Sequence, residues 1–109
     1  MRLQVKGRNL EVSAAIREYA ERKLGRLGRQ LNDGTPVELE LSVEKNPSIA
    51  AGNVAEAVIH TKGPILRARE RSTDMKAAID LLADNLERQV ERYRTKRRRK
   101  PAHKTAAKE

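Results

Sequence analysis

The sequence predicts an α+β fold: a two-layer sandwich with the order β-α-β-β-β-α, in which two helices cover one face of a four-stranded sheet. Three observations predict it. Residues 37–43 alternate strictly between apolar and polar, the signature of a strand with one buried face. Two longer segments, from Ala14 and from Asp74, each repeat apolar residues at helical spacing on one side only. Each such helix has one stripe to bury, so both are expected on the same side of the sheet, leaving its other face open.

The elements follow in order. Leu3 and Val5 alternate with Arg2, Gln4 and Lys6, a short strand closed by Gly7 and Asn9. Ser13 is a good N-cap for a helix beginning at Ala14. Ile16, Ala20, Leu24, Leu27 and Leu31 supply its apolar stripe, Gly25 and Gly28 weaken its second half, and Asn32-Asp33-Gly34 ends it. Pro36 opens the second strand, where Val37, Leu39, Leu41 and Val43 alternate with Glu38, Glu40, Ser42 and Glu44. A loop from Asn46 to Asn53 follows, then strands over Val54–Thr61 and Ile65–Arg71 about a Lys62-Gly63-Pro64 turn. The first connection should be a right-handed crossover between parallel strands, and the later strands an antiparallel meander. Arg67, Arg69 and Arg71 share one strand face, where Glu38, Glu40, Glu44 and Glu56 could pair with them in a solvated sheet surface. Ser72 or Thr73 is expected to cap the second helix. Its stripe is Met75, Ile79, Leu82, Leu86, Val90 and Tyr93. Residues 1–96 form one domain, and 97–109 read as a basic flexible tail or linker.

Composition narrows the function. The 109 residues carry 36% charged side chains and a net charge of +9, with two Tyr, no Phe, no Trp and no Cys. The core must therefore be aliphatic, and neither disulfides nor thiolate metal sites are available. No apolar run is long enough for a membrane span, and the first residues lack the apolar region of a signal peptide, so a cytoplasmic protein is expected. The charge is segregated: residues 1–31 hold eight Lys/Arg against three Asp/Glu, residues 73–96 five against five, and residues 97–109 six against one. Segregated positive charge points to a polyanion, of which nucleic acid is the commonest.

Helical geometry says where that charge points. Successive residues rotate by about 100°, so Arg22, Arg26 and Arg29 face away from the stripe of the first helix, with Lys23 on their flank. Arg88, Arg92 and Lys96 hold the equivalent place on the second helix. Side by side, the two rows would form one cationic ridge, extended by the tail. The plainer reading is a solvated, salt-bridged helix surface with cations near a helix C-terminus. The co-facing of two basic rows beside an acidic sheet face favours the polyanion site. Without exposed aromatics for base stacking, its contacts should go to phosphate and sugar and recognise shape rather than sequence. Catalysis is not expected. His60 and His103 have no partner constellation, no glycine-rich phosphate loop exists, and Asp74, Asp80 and Asp84 read as a dipole-favoured acidic face rather than a metal site. No cofactor, metal or small-molecule substrate is expected.

GRNLEVSAAIREY, LSVEK and DMKAAIDLLADNLERQVERYRTK resemble, in order and spacing over residues 1–96, the ribosome hibernation-promoting factor family, also called ribosome-associated inhibitor or sigma modulation proteins. The resemblance implies a fold similar to double-stranded-RNA-binding domains. It also implies a factor that binds the small ribosomal subunit, rRNA and ribosomal proteins, between head and body. There it would lie across the mRNA channel and the A and P tRNA sites, blocking translation and protecting idle ribosomes under stress or in stationary phase. Family-like basic positions recur as Arg22, Arg26, Arg29, Arg88, Arg92, Arg94 and Lys96. Two positions depart from the family pattern. Lys76 stands where an aromatic is usual, which bears on a contact with rRNA or with the first helix. Asn85 stands where Lys or Arg is common, which is expected to take one charge from the ridge. Long members carry a second domain that pairs ribosomes. Nothing here resembles it, so the chain reads as a short member or a piece of a long one, and self-association through this domain is not expected. Two other functions fit the residues: a free double-stranded-RNA-binding module, which would prefer isolated duplex to ribosomes, and a protein-interaction regulator of transcription.

Overall fold

The computed structural model describes residues 1–45 and 51–106, with side chains described as far as Lys96. Strands β1 (Arg2–Gly7), β2 (Pro36–Val43), β3 (Asn53–His60) and β4 (Ile65–Ser72) form one sheet in the order β1-β2-β3-β4. β1 pairs with β2 in parallel, with Val5 opposite Leu39, and the two remaining pairings are antiparallel. Helices α1 (Ala14–Gly25) and α2 (Met75–Ala106) pack on one face. The expected α+β sandwich is therefore the observed one, with strand limits moved by a residue at most. Most of the predicted loop between β2 and β3, residues 46–50, lies outside the described residues.

Alternation in the strands decides which side chains meet the helices. Val5, Val37, Leu39, Leu41, Ala55, Ala57, Ile59 and Ala68 point inward and are buried. Ala20, Leu24 and Leu27 from the first helical segment and Ala78, Ile79, Leu82, Ala83, Leu86 and Val90 from α2 close over them. Among the described residues every buried side chain is apolar, so the helices are held by area rather than by polar bonds. Gly7 ends β1 where the chain folds back on itself: a Cβ there would collide with the Leu10 carbonyl oxygen.

Both helices differ in detail from their sequence pattern. Ser13 caps α1 as expected, its Oγ accepting from the Ile16 amide at 3.2 Å. The α-helix stops at Gly25, and Arg26–Arg29 continue as a 3-10 turn that still buries Leu27. Glycines in this stretch lower helix stability, and the tighter winding keeps Leu27 on the core. At α2 the cap is Asp74, not Ser72 or Thr73: its Oδ2 accepts from the Ala77 amide at 3.1 Å. The α2 backbone runs on to Ala106, ten residues past Lys96 and into the segment expected as a tail. Arg, Lys and Ala are strong helix formers and a helix already nucleated on the core extends readily, against the cost of Pro101, which supplies no amide donor to this stretch.

Candidate nucleic-acid interface

The outward side of the helical layer is the candidate surface. Of the eight cations expected there, Arg22, Arg26 and Arg29 are exposed on the α1 side, and Arg88, Arg92 and Lys96 on α2. Arg88, Arg92 and Lys96 line one shallow surface groove together with Gln30 at the end of the 3-10 turn. The two rows do lie on the same layer.

Between them runs a row that the charge pattern alone did not reveal as a seam. Asp80, Asp84, Glu87 and Glu91 recur at i, i+4, i+7 and i+11 along α2, on the side that meets α1. Lys23 Nζ lies 3.4 Å from Asp80 Oδ1, and Arg26 Nη2 lies 3.0 Å from Glu87 Oε2. Exposed pairs of this kind contribute only about 0–1 kcal/mol each, so they orient the helices more than they stabilise them. They also divide the predicted cations by role. Lys23 and Arg26 spend part of their charge on the seam. Arg22, Arg29, Arg88, Arg92 and Lys96 make no ion pair among the described residues.

Arg94 does not belong to this surface. It sits about 200° around the helix from Arg92. It lies 4.0 Å from Glu91 and lines a different depression, with Thr61, Lys62 and Tyr93 at the end of the sheet. Asn85 is not on the ridge either, so it removes no charge from it. Its Nδ2 donates to Glu70 Oε2 of β4 at 2.8 Å, and its Oδ1 accepts from Gln89, which also donates to the Arg67 carbonyl at 2.7 Å. Asn85 thus ties α2 to the edge strand. Replacing it by Ala is expected to cost about 1.5–3 kcal/mol, since the lost bond is to a charged group. Affinity for a polyanion should stay unchanged. Urea denaturation beside a binding titration checks both.

Tyr19 is the functional candidate that the charge reading missed. Its hydroxyl donates to Asp80 Oδ1 at 2.6 Å. Its ring is approached by Lys76 Nζ at 5.4 Å, and by Lys23 Nζ and the Arg22 guanidinium carbon at 5.6 Å each. The Asp80 bond, assisted by desolvation, raises the phenol above its ordinary pKa. Lys76, standing where an aromatic is usual in the family, thus lies against Tyr19 of the first helix. A signal was present: Arg22 and Lys23 stand three and four residues after Tyr19, the spacing that places side chains on one helical face. The Lys76 partnership needed the packing of two helices.

The open sheet face is not acidic, as β2 by itself suggested. Arg67, Arg69 and Arg71 of β4 and Arg2 and Lys6 of β1 flank the central glutamates. Arg69 and Arg71 both reach Glu44, Arg8 lies 3.0 Å from Glu40, and His60 lies 3.4 Å from Glu38. This face is partly compensated, while Arg2, Lys6 and Arg67 make no ion pair among the described residues. Among the described residues no helix is long and apolar enough to cross a membrane.

Comparison with known proteins places this architecture. The chain is 36% identical over 105 residues to the ribosome hibernation promotion factor of Lactococcus lactis subsp. cremoris (strain MG1363), covering 93% of this chain and 54% of that protein. It spans about half the length of the curated relatives it matches. Among solved structures, the Thermus thermophilus Protein Y N-terminal domain superposes with a TM-score of 0.72 at 36% identity, over 85% of this chain and 99% of that one. A ribosomal subunit interface protein from Coxiella burnetii gives the same TM-score at 26% identity, over 87% and 99%. The sigma 54 modulation protein / S30EA ribosomal protein family model matches residues 3–98, which takes in the sheet, α1 and the packed part of α2, and the chain belongs to that family.

Proposed function

We propose that this chain silences ribosomes by binding the small ribosomal subunit, where it fills space that mRNA and tRNA need, and that it does so in the cytoplasm as part of a stress response. Family membership and the hibernation-factor names of its relatives support the reading. So does the likeness to a protein described as a ribosomal subunit interface protein. The observation that carries it is the outward helical face, where Arg22, Arg29, Arg88 and Arg92 are exposed and without carboxylate partners among the described residues. Cations held on rigid helices and left unneutralised fit phosphates on a folded RNA. Both tyrosines are half-buried, so base stacking has no exposed platform, and the surface suits shape recognition. The action proposed is occupancy: no bond is made or broken.

Sucrose-gradient sedimentation of vacant small subunits with and without the protein tests the reading. Co-sedimentation at physiological salt, lost as salt is raised and relieved by excess mRNA and tRNA, is expected. Protein that stays at the top of the gradient, or that moves to an isolated RNA duplex when both are offered, would count against it.

A further inference from the structure

The α1–α2 seam holds a concentration of charge that takes Arg22 and Lys23 from the ridge and adds Lys76 to them. Three cations, from two helices, stand 5.4–5.6 Å from the centroid of one ring. A ring has two faces, so it cannot satisfy three cations, and like charges gathered about one ring repel one another. One carboxylate, Asp80, bonds within the group: it takes the Tyr19 hydroxyl and pairs with Lys23. Asp74 is close, but its Oδ2 is committed to the Ala77 amide. Arg22 and Lys76 make no ion pair among the described residues, and both are exposed. Gathered like charge with an open side is a site for a multiply charged anion.

We propose that Tyr19 is a positioning residue that gathers Arg22, Lys23 and Lys76 into one RNA-phosphate-binding cluster. The cluster is a second anchor at the α1–α2 seam of the same helical layer, with Lys76 about 160° around α2 from Arg92. It rests on the RNA-binding reading above and extends it. Lys76 and Arg88 are separated by about 18 Å along α2 at 1.5 Å per residue, so the two anchors grip phosphates several nucleotides apart. Two separated anchors fix the orientation of the protein on RNA, which one patch leaves free to rotate. Asp80 holds the ring, the ring and Asp80 hold Lys23, and Arg22 and Lys76 stand at the edge of the cluster facing solvent.

The test measures affinity for vacant small subunits across a salt series for the full chain and four variants. Lys76→Gln is expected to weaken binding about three- to tenfold and to lower the salt slope by about 0.7–0.9, the loss of one phosphate contact. Tyr19→Leu should do at least as much while keeping apolar packing. Lys76→Arg, which keeps the charge, should restore affinity and slope, and Tyr19→Phe, which keeps the ring but loses the Asp80 bond, should restore most of both. A merely structural tyrosine would change thermal stability and leave the slope alone. If Lys76→Gln and Tyr19→Leu match the unaltered chain in affinity and slope, the cluster is overturned while the ridge stands. If the unaltered chain ignores small subunits, the ribosome reading falls. The cluster is then judged with the same variants on a 16-base-pair RNA duplex, where equal slopes overturn it.

Discussion

Reversing Arg88 and Arg92 together (Arg88→Glu with Arg92→Glu) is expected to abolish binding to small ribosomal subunits. Both side chains are exposed one helical turn apart, and neither has an ion-pair partner among the described residues, so their charge is free for a ligand. Losing two phosphate contacts removes about 1.4–1.8 from the salt slope. Reversal adds repulsion where attraction stood. The groove they line already holds Asp84, Glu87 and Glu91, so two further carboxylates turn it strongly negative. The combined loss in affinity should be about a hundredfold or more near 0.1 M salt. The fold should survive: neither side chain enters the core, and surface changes usually stay within about 0.5 kcal/mol, with a further few tenths lost from helix-pair repulsion. Filter binding across salt, with inhibition of translation in vitro alongside, reads the effect. Arg94→Gln is the internal contrast. Arg94 lies off this face, so its loss should change affinity less than about threefold. Equal damage from Arg94→Gln, or none from the double reversal, would remove the helical face as the binding surface.

Leu39→Ala is expected to be the most damaging single truncation for stability. Leu39 is fully buried in β2, between Val5 of β1 and Ala57 of β3. Large-to-small changes in a core cost about 2–5 kcal/mol, more where neighbours cannot collapse into the void. Collapse is hard here. Both strands beside Leu39 are held in ladder register, and many of the residues that could fill the space are alanines: Ala55, Ala57, Ala68, Ala78 and Ala83. No aromatic ring is buried to swing in. The cost should fall in the upper half of that range, a large part of a total stability of about 5–15 kcal/mol. Equilibrium urea denaturation should show an earlier midpoint with an unchanged slope. Leu81→Ala is the comparison: Leu81 is 46% exposed on α2 and should change stability by no more than about 0.5 kcal/mol. A Leu39→Ala loss below about 1 kcal/mol would mean that the core is looser than its burial indicates.

The elements that were legible are those whose signal is periodic and whose context is simple. β2 alternates over its whole length because one face meets helices and the other meets water, and it was read to within a residue. The stripe of α2 named Ile79, Leu82, Leu86 and Val90, all fully buried. The same periodicity placed Arg22, Arg29, Arg88 and Arg92 outward. Less legible were the ends: a 3-10 turn at Arg26–Arg29, a cap at Asp74, and a helix that outruns its apolar stripe. At such places the pattern that marks an element fades while the backbone continues.

What the sequence determined by itself was the direction of each side chain about its own helix or strand, and hence the core, the sheet and the two outward basic rows. That follows from fixed rotation per residue, which needs no neighbour. The tertiary structure decided what each side chain meets in that direction. It set an acidic row of α2 against Lys23 and Arg26, turned Arg94 and Asn85 toward the sheet, and brought Lys76 to Tyr19 across 57 residues of chain. Contacts of that kind depend on how two helices are placed on one sheet, and no repeat within either helix encodes that placement.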